Sequence, residues 1–248
     1  MRSSATSSAR PSDSDGSRAS RRIPRRPQLS EEVAAHIRHR IMTADIRPGD
    51  FIRLDDVAAE LGVSVTPVRE ALLTLRGEGM VDLEPHRGYR VGPLDRVDVD
   101  DLFWLQGEIA VRLALRTAAA VTPADLDELQ WWIRQLRAAV EAGDEQRVME
   151  AEFEFHRTHN VIAGGTKLAW FLLAATRYTP ARLYANDPEW GNTAVDSHER
   201  LVDAYRRGDV DEAVTQTRRQ FTDGAARLTH HLERSGIWTA PASDRTQI

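Results

Sequence analysis

The feature that most constrains the fold of this chain is a pair of short amphipathic segments separated by a tight turn. Residues 54–61 have the apolar spacing of one buried helix face, and Gly62 is placed to end that helix in the left-handed conformation. The next helix is predicted to have Thr66 as its N-cap and Pro67 in its first position, where proline costs no hydrogen bond. Two short helices joined by a glycine-containing turn are typical of a helix-turn-helix. The expected core positions of the second helix are Val68, Leu72 and Leu75.

Flanking residues extend this pair into a small domain over residues 29–94. A preceding helix is predicted to begin at Ser30, because apolar residues follow it at four-residue spacing as far as residue 41. Beyond Gly79, apolar and polar residues alternate on both sides of a turn over residues 85–88, which is typical of a β-hairpin. Three helices followed by a hairpin predict a winged helix-turn-helix.

The rest of the chain, residues 95–236, has only helical patterning. Glycine and proline separate the amphipathic segments by short loops, which predicts an antiparallel bundle of roughly six helices. We therefore expect a mainly α protein that joins a winged helix-turn-helix to an all-α antiparallel bundle. Residues 1–28, rich in Arg and Ser, are expected to be a disordered tail, and residues 237–248 a second tail. The predicted helices of the bundle cover residues 102–121, 126–142, 145–162, 168–178, 193–207 and 210–234.

The distribution of charge separates the chain into regions more clearly than the net charge of −5 does. Residues 1–28 carry seven Arg and two Asp, residues 29–94 carry eight Arg and eleven acidic residues, and the remaining residues hold a net −7. A DNA-binding face needs Arg on one local surface, so this balance does not argue against one. The absence of cysteine excludes disulfides, thiolate zinc sites and cysteine nucleophiles, and it fits a cytoplasmic protein. No apolar run is long enough for a bilayer, so no membrane partner is expected.

The start of the third helix has the side chains that a major groove accepts. Ser and Thr hydroxyls at a helix N-terminus suit phosphate oxygens, and Arg can form two hydrogen bonds with guanine. The hairpin tip combines a positive side chain with a glycine that lets the backbone approach DNA closely. The alternative interpretation is a small helical domain for protein contacts, with these Arg side chains merely solvated. The candidate DNA-contacting residues are Ser64, Thr66, Arg69, Arg76, His86, Arg87 and Gly88.

The stretch PGDFIRLDDVAAELGVSVTPVREALLTLRGEGMVDLEPHRGYRV resembles the DNA-binding domain of the GntR family, in its FadR-like branch. The resemblance implies that Arg53 joins the residues that contact operator DNA, and it places Val65 and Pro67 in the same recognition motif. Val65 occupies the position where the family usually has Arg, and a branched apolar side chain cannot make the bidentate guanine contact. Either a thymine methyl is read there or that contact is lost.

Two later segments, EFEFHRTH and SHERLVDAYRRGDVDEAVTQTRRQF, resemble the FCD domain, the helical effector domain of FadR-like regulators. In many members, an acidic residue and three His from three helices bind a divalent metal. The resemblance places these ligands at Glu152, His156 and His198, but Gln220 stands where the third His is expected. Because an amide oxygen is a weaker donor than imidazole, this departure lowers the expected affinity for transition metals.

Three interpretations of this cluster stay open. The three protein ligands, with Gln220 or water, hold zinc, manganese or nickel and leave open positions for an effector carboxylate. Alternatively, the cavity binds its effector without metal, with His156 and His198 as hydrogen-bond donors. In the third interpretation, both His are core residues with no ligand.

Several other polar and aromatic residues have less specific patterns. His159, His230 and His231 lie off the ligand positions and are expected at the surface. At Gln106 related sequences often have Arg, so contacts made there in relatives are not carried over. Helix-spaced Glu108, Arg112 and Arg116 are expected to form surface salt bridges rather than to grip an effector anion. Core packing is the default expectation for Trp104, Trp131, Trp132, Trp170 and Trp190.

Together these patterns predict a homodimeric transcription regulator, in the commoner case a repressor. It would bind a pseudo-palindromic double-stranded operator and respond to a small-molecule effector, for which a carboxylate is expected. One alternative is a metal-dependent enzyme in the bundle, with Glu152 as a base beside metal-activated water. The sequence has no separate acid/base pair, phosphate loop or nucleophile elbow, so an enzyme is not expected. A second alternative is nonspecific DNA binding through the Arg-rich tail.

Overall fold

The computed structural model describes residues 26–238, with side chains from residue 29 onward. Of the predicted tails at residues 1–28 and 237–248, residues 1–25 and 239–248 therefore lie outside the described residues. The N-terminal half has the predicted winged helix-turn-helix, with one strand more than expected. Its elements are α1 (Arg26–Met42), β1 (Phe51–Ile52), α2 (Leu54–Leu61), α3 (Val65–Gly77), β2 (Val81–Glu84) and β3 (Gly88–Val91).

Two helix starts differ from the prediction. Helix α1 begins at Arg26 instead of following Ser30. Pro27 is tolerated at the second position of α1, because the first four backbone N–H groups of a helix make no hydrogen bond within that helix. In α3 the N-cap is Ser64 rather than Thr66, so Pro67 is the third helical residue and not the first. The third position is also free of an intrahelical N–H bond, so sequence rules alone do not distinguish the two registers.

The unpredicted strand β1 completes a three-stranded antiparallel sheet in the order β1-β3-β2. Ile52 pairs with Tyr89, and Glu84 pairs with Gly88 across the hairpin. A strand of two residues is too short to show the alternation by which strands are recognised in a sequence. Its effect is to tie the loop before α2 to the wing.

The C-terminal half is all helical, as predicted. Side-chain caps define several of its helices: Asp95 and Thr122 each form a capping box, and Gly143 ends α5 in the left-handed conformation. Helix α8 was not predicted, and α9 begins five residues before the predicted start at residue 193. The helices are α4 (Arg96–Ala120), α5 (Pro123–Ala142), α6 (Glu145–Ile162), α7 (Thr166–Ala175), α8 (Ala181–Ala185), α9 (Pro188–Arg207) and α10 (Val210–Ser235). A 3-10 turn (Thr176–Tyr178) follows α7.

One apolar cluster crosses from the N-terminal half into the bundle. Leu72 of α3 belongs to the same buried cluster as Val99 and Phe103 of α4 and Leu228 of α10. Close contact between α4 and α10 depends on Gly224, because a Cβ there would lie 2.8 Å from the Phe103 ring. A second buried cluster lies between α5, α6 and α9.

Two residues of the predicted C-terminal tail take part in this packing. Ile237 and Trp238 pack against the shared cluster, and the Trp238 indole N–H donates to the Leu94 carbonyl at 2.9 Å. The ordered chain therefore continues past residue 236, because an apolar side chain gains more from the core than from water. Within residues 26–238, no helix combines the length and apolarity needed to cross a membrane.

Candidate functional site

The outward face of α3 presents the predicted DNA-contacting side chains to solvent. Ser64, Thr66, Arg69 and Arg76 are all exposed. Leu73 lies on the same face and is 51% exposed, a position that the sequence analysis missed because an isolated Leu in an amphipathic helix has the pattern of a core residue.

Two members of the predicted recognition motif do not reach this face. Pro67 is buried on the inner side of α3, so its ring is not available to DNA. Val65 is half-buried and packs against the N-terminal core. Val65 lies three residues before Val68 and Pro67 four residues before Ala71, so both are on the buried side of α3 by helix spacing.

The arginines of the predicted interface are unpaired. The guanidinium groups of Arg53, Arg69, Arg76 and Arg87 are exposed and form no ion pair with any residue in the range 29–238. By contrast, Arg38 and Arg40 of α1 are paired, with Glu78 and Glu60 respectively. Unpaired guanidinium groups on one surface are available to an anionic partner.

The wing tip is shaped by backbone conformations that few residues adopt. His86 and Gly88 both have positive φ, of 63° and 100°. A Cβ at Gly88 would lie 3.5 Å from the Ile52 carbonyl oxygen. Beside them, the Arg87 guanidinium lies 5.1 Å from the centre of the Phe51 ring, within the range of a cation–π contact. The unpredicted strand β1 thus contributes Phe51, which holds the wing arginine near the sheet.

In the bundle, three helices bring the four predicted metal or effector residues together. Glu152 and His156 lie on α6, His198 on α9 and Gln220 on α10. Glu152 Oε1 is 3.0 Å from His198 Nε2, and Glu152 Oε2 is 3.4 Å from His156 Nε2. Gln220 Nε2 is 3.0 Å from His198 Nδ1. One ligand atom from each of the three acidic and His residues lies within 4.8 Å of the others, which is compatible with a shared metal ion.

The hydrogen bonds of His198 determine how it presents its ring. The Gln220 amide N–H donates to Nδ1, so the proton of a neutral His198 is on Nε2 and is donated to Glu152. Burial raises the pKa of Glu152, but the attraction of His198 and hydrogen bonds from both His outweigh it and hold that pKa well below the usual range. Glu152 therefore stays negative.

These residues form a polar patch in the lining of a cavity of about 630 Å³. Most of its lining is apolar, including Phe103, Leu172, Tyr184 and Phe221. Its rim has exposed apolar side chains, the largest exposed fractions being 67% at Val161 and 63% at Trp170. The arrangement suits a ligand with one polar end and an apolar body.

Ser197 is a cavity residue that the sequence analysis missed. It lines the cavity beside His198, and its buried hydroxyl has no hydrogen-bond partner among the described residues. A buried unpaired hydroxyl is costly, so this position favours a bound polar group. Its position next to His198 in the sequence was the only available signal.

Three predictions about other residues were wrong. His159 was expected at the surface but is buried, with its Nε2 2.7 Å from the Tyr205 hydroxyl. His231 is half-buried and is bonded to the Thr43 carbonyl, whereas His230 is exposed as expected. Core packing was expected for the five Trp residues named above, but three of them are exposed, namely Trp104, Trp131 and Trp170.

Of the three charged α4 residues expected in surface salt bridges, only Glu108 forms one with a described residue, while Arg112 and Arg116 are exposed without an ion pair. Glu108 and Arg218 form an exposed salt bridge at 2.8 Å. Arg112 and Arg116 are exposed and do not line the cavity, so neither grips an anion in it.

Comparison with known proteins agrees with both halves of the structure. Residues 29–91 match the family described as bacterial regulatory proteins, gntR family, and residues 101–223 match the FCD domain. The chain is 31% identical over 150 residues to an uncharacterised HTH-type transcriptional regulator of Mycobacterium tuberculosis, and the match spans only 60% of each chain. It is 24% identical to the HTH-type transcriptional repressor RspR of Escherichia coli, over 81% of this chain and 90% of RspR.

The fold is also similar to that of a solved structure of E. coli McbR/YncC. The TM-score is 0.63 at 22% sequence identity, covering 82% of this chain and 97% of that one. At this identity the likeness supports the fold alone.

The buried His159 makes the stability of the protein depend on pH. Burial, together with repulsion from His156, lowers the pKa of His159 to about 4. His159 takes up a proton near pH 6.5 in the unfolded chain but only near pH 4 in the folded chain. Protonation of His159 therefore costs no free energy of unfolding above pH 6.5, and the free energy of unfolding falls as the pH decreases from 6.5 towards 4. The expected contribution is about 3 kcal/mol, since one pKa unit corresponds to about 1.4 kcal/mol.

Urea denaturation between pH 7.5 and 4.5 tests this expectation. His159→Asn should flatten the slope of unfolding free energy against pH, whereas His230→Asn, at an exposed position, should leave the slope of the parent protein. Equal slopes for His159→Asn and the parent would contradict the assignment.

Proposed function

Because this chain belongs to the FCD-containing group of the GntR family of bacterial regulatory proteins, we propose that it is a sequence-specific DNA-binding transcription regulator. It acts in the cytoplasm, and a small molecule bound in the helical bundle controls its affinity for operator DNA. The observation that carries the proposal is the row of exposed, unpaired arginines on α3 and the wing, in a chain whose bundle contains a separate cavity. RspR is named a transcriptional repressor, and this supports repression as the mode of action of the present chain.

The outward face of α3 is proposed to enter the major groove. Arg69 and Arg76 lie seven residues apart on this face and therefore point in nearly the same direction. Thr66 and the N-terminus of α3 suit a phosphate, while Arg87 at the wing tip reaches the adjacent backbone or minor groove. Two such heads, separated by about 34–36 Å, would read the half-sites of a pseudo-palindrome.

A second copy of the chain is proposed to pack against α4. This helix has a solvent-exposed apolar stripe in which Val97, Trp104 and Leu115 are seven and eleven residues apart and share one helix face, with Leu105 at its edge. Trp104 alone is 65% exposed, which is uncommon for so large an apolar side chain. The apolar members of this α4 stripe are Val97, Trp104, Leu105 and Leu115.

The charges on the α4 stripe complement one another under a two-fold axis. Asp101 lies towards its N-terminal end and Arg112 towards its C-terminal end, and neither forms an ion pair with a described residue. Antiparallel contact of two copies would place Asp101 of each opposite Arg112 of the other, with Trp104 and Leu105 between them. A self-complementary patch of this kind is what a two-fold dimer requires.

The polar patch of the cavity is proposed to bind a divalent metal together with an effector carboxylate. Glu152 keeps its negative charge, so a carboxylate near it would be repelled unless a cation lay between them. Glu152, His156 and His198 offer three donors of the kinds that zinc, manganese and nickel accept. A bound metal would supply positive charge and open coordination positions.

Gln220 takes a supporting role in this proposal. Its amide nitrogen lies 3.0 Å from His198 Nδ1, so it orients the ring rather than acting as a fourth ligand. A metal on Nε2 would leave the proton of the neutral ring on Nδ1, so the Gln220 amide would turn and accept a hydrogen bond from that proton through Oε1. Ser197 supplies a hydroxyl for the bound carboxylate or for a water molecule. The apolar lining then selects an effector whose remaining part is apolar. No observation favours the enzyme alternative.

DNA recognition can be tested with duplexes selected from a random pool by the full-length protein. The selected sequence should be a pseudo-palindrome. Arg69→Ala should weaken binding about ten- to hundredfold and relax the preference at one base pair in each half-site, because a bidentate guanine contact is worth about 1–3 kcal/mol. Arg134→Ala, an exposed arginine on α5, is the matched control and should bind as the parent does. Unchanged affinity in Arg69→Ala, Thr66→Ala and a wing deletion alike would show that the reading head is misassigned.

The dimer can be tested by charge reversal and sedimentation equilibrium. Asp101→Arg and Arg112→Asp should each raise the dimer dissociation constant about tenfold, because each places like charges together twice per dimer. The double variant Asp101→Arg/Arg112→Asp should restore dimerisation, and Asp127→Arg on α5 should have no effect. A double variant weaker than both single variants would rule out the antiparallel arrangement.

Metal binding can be measured by calorimetric titration of the chelator-treated protein with zinc, manganese or nickel. One ion per chain is expected, with at least a hundredfold loss of affinity in His198→Asn and none in His230→Asn. Failure of all three metals to bind stoichiometrically would favour an effector held directly by the His and Glu side chains.

A further inference from the structure

The 3-10 turn after α7 contacts the cavity on one side and the recognition helix on the other. Thr176 and Thr179, at the start and just beyond the end of the turn, line the cavity. Arg177 and Tyr178, between them, contact Glu78, the residue that follows α3. Few residues thus separate the proposed effector site from the proposed DNA-reading helix.

The contacts at Glu78 are part-buried, except for an exposed one with Arg177. The Tyr178 hydroxyl donates to the Glu78 carbonyl oxygen at 2.6 Å. The Glu78 carboxylate accepts two hydrogen bonds from Arg38, both of 2.9 Å, and one from Arg177 at 3.3 Å. The bidentate pair with Arg38 holds Glu78 to α1. The bonds from Tyr178 and Arg177 join Glu78 to the turn, so a displacement of the turn moves or strains the C-terminal end of α3.

Gln106 of α4 holds the turn from the cavity side. Its side chain is almost fully buried and lines the cavity. Its Nε2 donates to the Ala175 carbonyl at 3.2 Å, and its Oε1 accepts from the Thr179 hydroxyl at 3.3 Å. These partners flank the turn, so one amide clamps both of its ends. A side-chain amide has two donors and two acceptor sites, so a second donor and a second acceptor site remain for a bound molecule.

We propose that Gln106 is the positioning residue through which a molecule in the cavity alters the pose of the recognition helix. This inference rests on the proposed function and specifies how its two sites communicate. A ligand that bonds to the remaining donor or acceptor site of the Gln106 amide, or packs against Thr176 and Thr179, displaces these groups relative to one another and so changes the two bonds that clamp the turn. The turn then moves, and its bonds from Arg177 and Tyr178 to Glu78 change with it. By linkage, binding of DNA changes ligand affinity by the same factor that the ligand changes DNA affinity.

Hydrogen exchange of the full-length protein, without DNA or ligand, tests the coupling. The reporting amides are those of Thr179, which donates within the turn, and of Glu78 and Met80, which donate to the last turn of α3. Gln106→Leu keeps the bulk but removes both clamping bonds. It should speed exchange about tenfold at Thr179 and also at Glu78 and Met80, the loss expected from one or two hydrogen bonds.

Gln220→Leu is the matched control, because it makes the same substitution in the same cavity without touching the turn. It should leave exchange at Glu78 and Met80 unchanged. Tyr178→Phe removes only the bond to the Glu78 carbonyl. This single substitution should be sufficient to speed exchange at Glu78. In the Tyr178→Phe background, Gln106→Leu should have a smaller effect on α3 than in the parent protein, because only the Arg177 bond still joins the turn to Glu78.

Three results would overturn the proposal. The first is that Gln106→Leu speeds exchange at Thr179 but not at Glu78 or Met80. The second is that Gln220→Leu speeds exchange at Glu78 and Met80 as much as Gln106→Leu does. The third is that the effects of Gln106→Leu and Tyr178→Phe on exchange at Glu78 and Met80 are fully additive. If Gln106→Leu fails to fold, Tyr178→Phe decides alone, because it should also speed exchange at Thr179 across the turn. Since neither DNA nor ligand enters the measurement, its failure is separate from a failure of the DNA-selection test.

Discussion

Burial of one continuous apolar cluster across both halves of the chain is the constraint on which the other features depend. Leu72 and Leu75 of the recognition helix belong to the same cluster as Phe103 and Leu228 of the bundle. Because each half buries apolar area against the other, the DNA-reading head does not hang from a free linker. The outward face of α3 is thereby held in a defined direction relative to the cavity, which is a requirement for any ligand in the bundle to influence DNA binding.

The polar cluster in the bundle follows a second constraint, the cost of burying charge. A carboxylate as enclosed as Glu152 must be paired, and His156 and His198 pair it from two helices. Gln220 then completes the hydrogen bonding of His198 from a third helix. The same arrangement that makes the bundle tolerate the charge also gathers donors suited to a metal, so structural and ligand-binding roles are combined in one cluster.

How much the sequence could predict is clearest in particular residues. Residues 145–162 were predicted as a helix and form α6 with those bounds, because the apolar spacing and the flanking breakers all agree. By contrast, the start of α3 depended on which of Ser64 and Thr66 caps it, and both are good N-cap residues. Val65 and Pro67 were assigned to the recognition motif through the family resemblance, although their spacing from the buried Val68 and Ala71 places them on the inner side of the helix. His159 was misplaced for another reason: a polar residue gives no sign that a Tyr from a distant helix will satisfy it.

The amino-acid sequence by itself determined the winged helix-turn-helix and the helical bundle. Both follow from local periodicity and capping, which act over a few residues. The convergence of Glu152, His156, His198 and Gln220 was predicted from the resemblance to the FCD domain and not from periodicity, and β1 and α8 were not predicted. Only the tertiary structure decided that Gln106 holds the turn above Glu78, that Phe51 lies under the wing arginine and that Ser197 lacks a partner. Each of these depends on side chains far apart in the chain, and their meeting is set by how helices pack around shared apolar clusters, which no local pattern encodes.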